Sequence, residues 1–181
     1  MLDRQPVLEG EHVRLRPLRP DDWDALFAVA SDRQVWAQHP AHDRWQEAVF
    51  RPFFADALAN RGALVVIDAQ TGAVIGSSRF QGLDAAGGGS VEIGWTFLAR
   101  SHWGGTFNHA MKRLMLGHAL ASLAEVRFLV GETNTRSRRA LENIGAMLTD
   151  RREERVMTGG ELVVHLTYVV TRESFASGPL A

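Results

Sequence analysis

At 181 residues, with a formal net charge of −1 and no cysteine, the chain has the size of one compact domain. The balanced charge offers no bulk attraction to nucleic acid or an anionic membrane, and the lack of cysteine excludes thiol nucleophiles, disulfides and Cys-ligated zinc. The first residues lack the basic and apolar segments of a signal peptide, and no run approaches the roughly 18 apolar residues of a membrane span. The expectation is therefore a cytoplasmic protein, folded as a single domain over residues 1–181.

Residues 13–18 alternate apolar and basic side chains as a half-exposed strand does, and Pro17 suits a strand end. Pro20, Asp21 and Asp22 then open a helix over 23–30. Residues 31–44, with Trp36, His39, Pro40, His42 and Arg44, keep no clean period and read as an aromatic loop, either lining a site or tucked on the core. A second helix is expected over 45–60, interrupted early by Pro52 and ended at Asn60-Arg61-Gly62. Residues 63–68 and 74–80 read as a hairpin, and Gly87-Gly88-Gly89 as a flexible connector, because no helix follows to make it a phosphate loop.

Residues 91–98 are rich in β-branched and aromatic types and read as a strand. After them comes the turn Arg100 to Gly105, and then Phe107, Ala110, Met111, Leu114, Met115 and Ala119 fall at helical spacing, predicting a helix over 106–122. A turn that feeds directly into a helix leaves the first amide N–H groups unpaired at the positive end of the macrodipole. Gly104 and Gly105 keep side chains clear of that backbone, and Arg100 adds a full charge, so the turn is a candidate phosphate cradle; the alternative is a tight connection capped by Thr106. A short apolar strand follows at 126–132, then a helix over 134–144 closed by Gly145. Strands at 147–157 and 162–171, joined by a turn at 158–160, form a terminal hairpin, and residues 175–181 read as a frayed tail. The order predicts an α/β fold: a mixed, mostly antiparallel sheet of about seven strands flanked by about four helices.

Trp103-Gly104-Gly105 with Asn108, Lys112 and His118-Ala119, followed by Asn134-Thr135-Arg136-Ser137 and Ala140 through Gly145-Ala146, resembles the GCN5-related N-acetyltransferases, and within them the ribosomal-protein N-terminal acetyltransferase branch. The resemblance spans nearly the whole chain and implies the same fold. It implies acetyl-CoA as co-substrate, held by Phe97, Leu98, Arg100, Trp103, Gly104, Gly105, Thr106, Phe107, Asn108, Asn134, Ser137 and Arg138, and no metal. It departs from the family's pyrophosphate pattern in having Ser101 where Gln or Arg is usual and Thr106 at the last Gly/Ala position.

The implied activity is direct transfer of acetyl from acetyl-CoA to a primary amine, on a protein N-terminus or a small molecule. Such a reaction needs a base, an oxyanion donor and an acid. The resemblance places Glu92 as base, with Glu132 and His165 as fallbacks, and the amides around Phe97 and Leu98 as oxyanion donors. The tyrosine that the family often uses as acid is missing from the fourth helix, since the only tyrosine is Tyr168; Ser137 is the candidate in its place. Asn134 and Ser137 also suit helix capping. Lys112 and His118 read as packing or solvated residues, and a homodimer is a further implication of the resemblance. Two rival readings stand beside this one: a CoA-binding module without turnover, and transfer of a different acyl group.

Overall fold

A computed structural model describes residues 2–157 and 160–181; the turn expected at 158–160 falls partly on Thr158 and Gly159, outside the described residues. Eight strands form one mixed sheet: β1 (Leu8–Glu9), β2 (Val13–Pro17), β3 (Ala63–Asp68), β4 (Val74–Asp84), β5 (Ser90–Leu98), β6 (Glu125–Gly131), β7 (Met147–Val156) and β8 (Leu162–Thr171). They lie in the order β1-β2-β3-β4-β5-β6-β8-β7. Every neighbouring pair is antiparallel except β5 and β6. The mixed sheet matches the expectation, with one strand more than predicted. The extra one, β1, is two residues long, too short to carry an alternation.

Among the described residues six α-helices cover the sheet: α1 (Trp23–Ala30), α2 (Arg33–Trp36), α3 (Glu47–Asn60), α4 (Thr106–Leu120), α5 (Thr135–Asn143) and α6 (Arg172–Ala176). On one face α4 presents Met111, Met115, Leu116 and Ala119 to Leu15, Leu64, Val66, Ile93 and Val126. On the other, an aromatic cluster joins Phe50 and Phe54 of α3, Trp36 of α2 and Phe97 of β5, and α1 packs on it through Leu26 and Ala30. β3 serves both faces, Leu64 and Val66 to one core and Ala63 and Val65 to the other, as the two-residue period of a strand requires.

Three expectations are corrected. The aromatic loop contains a turn of helix, α2, capped by Asp32, whose carboxylate accepts from the Gln34 amide. Pro52 does not interrupt α3, which runs unbroken through it. The tail does not fray: Thr171 and Ser174 cap α6 reciprocally, and Leu180 is buried in the α4-side core. Among the described residues no helix is long and apolar enough to cross a membrane.

Two irregularities in β5 shape the site. Gly94 pairs with Arg79 and Phe97 with Ser77, so Trp95 and Thr96 together oppose the single Ser78. This is a β-bulge, and Trp95 takes a positive φ of 51° within it. The extra residue reverses the alternation: Ile93 and Leu98 pack on the α4 side while Phe97 joins the aromatic cluster opposite. Secondly, β5 and β6 pair at only three positions, ending at Glu92 and Arg127, after which β5 stays with β4 and β6 with β8. The two halves of the sheet splay apart from that point.

Candidate active site

The splay opens into a cavity of about 1010 Å3, lined by Ile93 to Leu98 of β5, Phe128 to Gly131 of β6, the start of α4, the start of α5 and the segment 34–40. Its volume reaches the upper end of the range for small-molecule sites. The strand ends supply its apolar floor, and the two helix N-termini supply its polar wall.

At the α4 end, Gly104 and Gly105 adopt φ values of 107° and 112°, which side chains with a Cβ rarely reach. Gly105 is the N-cap of α4 and no side chain caps the helix, so the first-turn amides stay open beside the cavity. The Trp103 indole N–H donates to the Leu98 carbonyl at 2.9 Å and pins the turn to the end of β5. The capping alternative for Thr106 is thus not what the structure adopts.

At the α5 end, the Asn134 side chain accepts from the Ser137 amide at 3.2 Å and is buried while lining the cavity. Asn134 thus caps the helix and lines the cavity with the same side chain. Ser137 lines the cavity as well. The mouth is tied across by Arg136, whose guanidinium lies 4.2 Å from the Trp103 ring centroid and donates to the Val35 carbonyl at 2.8 Å. Burial lowers the Arg136 pKa.

Of the residues assigned from the sequence, Phe97, Leu98, Arg100, Trp103, Gly104, Gly105, Asn108, Asn134 and Ser137 converge on the cavity. Four do not line it. Arg138 turns away, donating to the Tyr168 hydroxyl at 3.2 Å and to the Glu132 carbonyl at 3.0 Å, because neighbouring residues on a helix point in different directions. Phe107 packs against His102 and His12, and Thr106 lies outside the lining although its amide belongs to the open turn. Glu92 sits at the apex of the splay, just outside the lining, and a Cβ on Gly94 would stand 3.0 Å from its Oε1. The absence of that Cβ lets the carboxylate fold over a residue that does line the cavity. Burial raises the Glu92 pKa, Arg155 opposes the rise and Glu153 adds to it.

Of the fallbacks, His165 lines the cavity and burial lowers its pKa, whereas Glu132 pairs with Arg152 at 2.9 Å outside it. Arg100 is also engaged, in an ion pair with Asp32.

Sequence reasoning reads Lys112 as a packing or solvated residue and gives it no place in the site. It is 4% exposed and lines the cavity, and its Nζ donates to the Thr96 hydroxyl at 2.9 Å. Burial lowers its pKa to about 7. The signal was present: Gly105, Asn108, His109 and Lys112 recur at spacings of three and four, a polar stripe on one face of α4. His39 was weighed only as part of a loop. It lines the cavity with Nδ1 accepting from the Ala41 amide at 2.9 Å, and burial pushes its pKa down to about 3, so it is a neutral ring.

In sequence, a model of the Acetyltransferase (GNAT) domain matches residues 12–147. The chain belongs to the GNAT acetyltransferase family. No curated protein matches it in a sequence search. Among solved structures, this GNAT chain is similar to a GCN5-related N-acetyltransferase from Brucella melitensis, at 23% identity and a TM-score of 0.80, covering 95% of this chain and 81% of that one. It is similar to Mycobacterium smegmatis RimJ in complex with CoA-disulfide, at 22% identity and a TM-score of 0.69, covering 93% and 86%. The spermidine N-acetyltransferase from Vibrio cholerae, in complex with CoA and spermine, matches at 16% identity and a TM-score of 0.67, covering 92% and 99%. At these identities the likeness is one of fold. Membership of the GNAT family makes the chain an N-acetyltransferase, with acetyl-CoA as the family's acyl donor.

Proposed function

We propose that this chain transfers the acetyl group of acetyl-CoA to a single primary amine, a peptide α-amino group in the first place. The observation that carries the donor assignment is the uncapped first turn of α4 beside a cavity that runs into the sheet splay. The amides of Thr106, Phe107 and Asn108 would take the pyrophosphate, with the bare backbone of Gly104 and Gly105 allowing its approach. Asn134 and Ser137 would contact the arm of the donor, and β5 around Phe97 and Leu98, unpaired on its β6 side, would meet the acyl carbonyl. The missing Gln or Arg at Ser101 is compatible with this, because the amides do most of the holding.

Two observations support the acceptor class. Among the described residues, no Asp or Glu lines the cavity, whereas Arg136, Arg139 and Lys112 do, an arrangement hostile to a polycation. The motifs at Trp103 to Asn108 and Asn134 to Ala146, which resemble the ribosomal-protein N-terminal acetyltransferase branch, favour the same class. Glu92, at the apex of the splay with its carboxyl raised by burial, is the base that would accept the amine's proton, directly or through water.

Calorimetric titration with acetyl-CoA and with CoA tests the donor. Acetyl-CoA consumption with peptides bearing a free α-amine, and with spermidine, tests the acceptor. Failure to bind either nucleotide overturns the donor assignment, binding without turnover on any amine favours a sensing module, and faster turnover of spermidine than of peptides overturns the acceptor class.

A further inference from the structure

Lys112 is the chain's one lysine among 20 lysines and arginines. Every other strong cation in the sequence is a guanidinium, which is a poor nucleophile and stays protonated. This single side-chain amine is placed in the interior, at the point where the sheet halves part. Its Nζ donates to Thr96 on β5 and lies 5.3 Å from the Phe128 ring centroid on β6, so it bridges the splay. The Thr96 hydroxyl is held in turn by Ser78 at 2.8 Å, which fixes where the amine rests.

No carboxylate forms an ion pair with Lys112 among the described residues. Desolvation without a counter-charge favours the neutral amine, and the pKa of about 7 means that near neutral pH a large share of it carries a free lone pair. The bulge at Trp95 contributes directly. By shifting the alternation of β5 it turns Thr96 toward α4, one residue before the Phe97 and Leu98 backbone assigned to the acyl carbonyl. A desolvated, partly neutral amine therefore stands beside the place where a thioester would lie.

We propose that Lys112 is an acyl acceptor within the chain itself, and that with acetyl-CoA bound and no external amine present the protein acetylates this residue. The proposal rests on the donor assignment above. The Nζ lone pair attacks the thioester carbonyl carbon and a C–N bond forms. The C–S bond breaks with its electron pair going to sulfur, and the proton lost by nitrogen goes to the departing thiolate. The products are Nε-acetyl-lysine and free CoA, with no other reactant. The amide carries no charge and adds an acyl group beside Thr96, so the modified chain loses both the cation and that space. Acetylation at Lys112 is thereby self-limiting.

The test incubates the full chain with isotopically labelled acetyl-CoA, without acceptor, and follows intact mass and peptide maps. The expected result is one acetyl group per chain, on the peptide containing Lys112, at a rate independent of protein concentration. The rate should be at least about tenfold above that of the same chain unfolded in urea, because the bound geometry supplies the proximity. An excess of desulfo-CoA should suppress it. Lys112→Arg and Lys112→Met should give no label on that peptide while calorimetry still shows acetyl-CoA binding, which confirms that the variants fold. If the parent chain binds acetyl-CoA and Lys112 stays unlabelled, or labels as fast in urea, this proposal is overturned and the donor assignment stands. If acetyl-CoA does not bind, both fall.

Discussion

The Tyr168 hydroxyl donates to the Glu142 carboxylate at 2.9 Å and accepts from Arg138 at 3.2 Å, a three-residue link joining β8 to α5 on the side away from the cavity. The only tyrosine of the chain is thus held in structural service, fully buried, and cannot reach a departing thiolate. Tyr168→Phe removes one hydrogen-bonding hydroxyl, while Glu142 and Arg138 both retain access to water. The expected cost in urea denaturation is about 1 kcal/mol, with acetyl-CoA affinity unchanged by calorimetry. A tenfold loss of affinity would instead place Tyr168 in the site.

Glu92→Gln removes the proposed base with little change of shape. Turnover should fall by about a hundredfold or more, with acetyl-CoA affinity held within about twofold. In the parent, burial raises the Glu92 pKa, and the base works only when ionised. Activity should therefore fall as pH drops through a value above the ordinary glutamate range of about 4.3. A variant as active as the parent removes Glu92 from the reaction.

Gly105→Ala tests the α4 turn. The new Cβ meets nothing closer than the His109 ring at 3.8 Å, so the whole penalty is backbone strain at a φ of 112°. The strain should cost about 1–3 kcal/mol, or shift the turn to escape it. Either way the amides lose their aim, and acetyl-CoA affinity should fall by about tenfold or more while CoA and acetyl-CoA are weakened alike. Unchanged affinity would mean that the pyrophosphate is not held there.

Lys112 carries a stability signature independent of any reaction. Its folded pKa of about 7 lies below the value of about 10.4 for an unfolded lysine. Below pH 7 the amine is charged in both states, and folding bears the full cost of burying an ammonium. Between the two values the unfolded chain holds the proton and the folded chain does not, so stability rises with pH across that window. Lys112→Met should raise the melting temperature at pH 6, where the relief is on the order of a few kcal/mol, and should do so much less at pH 9. His39, His102, His109 and His165 share the cavity and remain in both proteins, so the difference between the two isolates the lysine. A Met variant less stable at pH 6 than the parent would contradict the burial cost.

The glycine turn and the Asn134 helix start were legible because each is written in consecutive residues: Gly104-Gly105 before a helical period, and a cap three residues ahead of the amide it serves. What stayed hidden depends on contacts between distant segments. Thr96 reaches Lys112 only because the Trp95 bulge shifts the side-chain parity of β5, and a strand read as regular alternation sends Thr96 to the wrong face. Arg138 was assigned to the cofactor from its place in a motif, yet its direction is decided by Tyr168, 30 residues away in sequence. The mixed character of the sheet followed from the element order, but the tail was misread because Leu180 finds its partners across the α4-side core.

Three paired positions between β5 and β6 are all that join strands β1 to β5 with strands β6, β8 and β7 in the sheet. The sheet is therefore two plates sharing a short seam, and the cavity lies along the line where a crack would grow. Any molecule lodged between the plates touches both and resists their parting. Occupancy should slow amide exchange on strands that lie well beyond its own contacts, from β4 on one plate to β8 on the other.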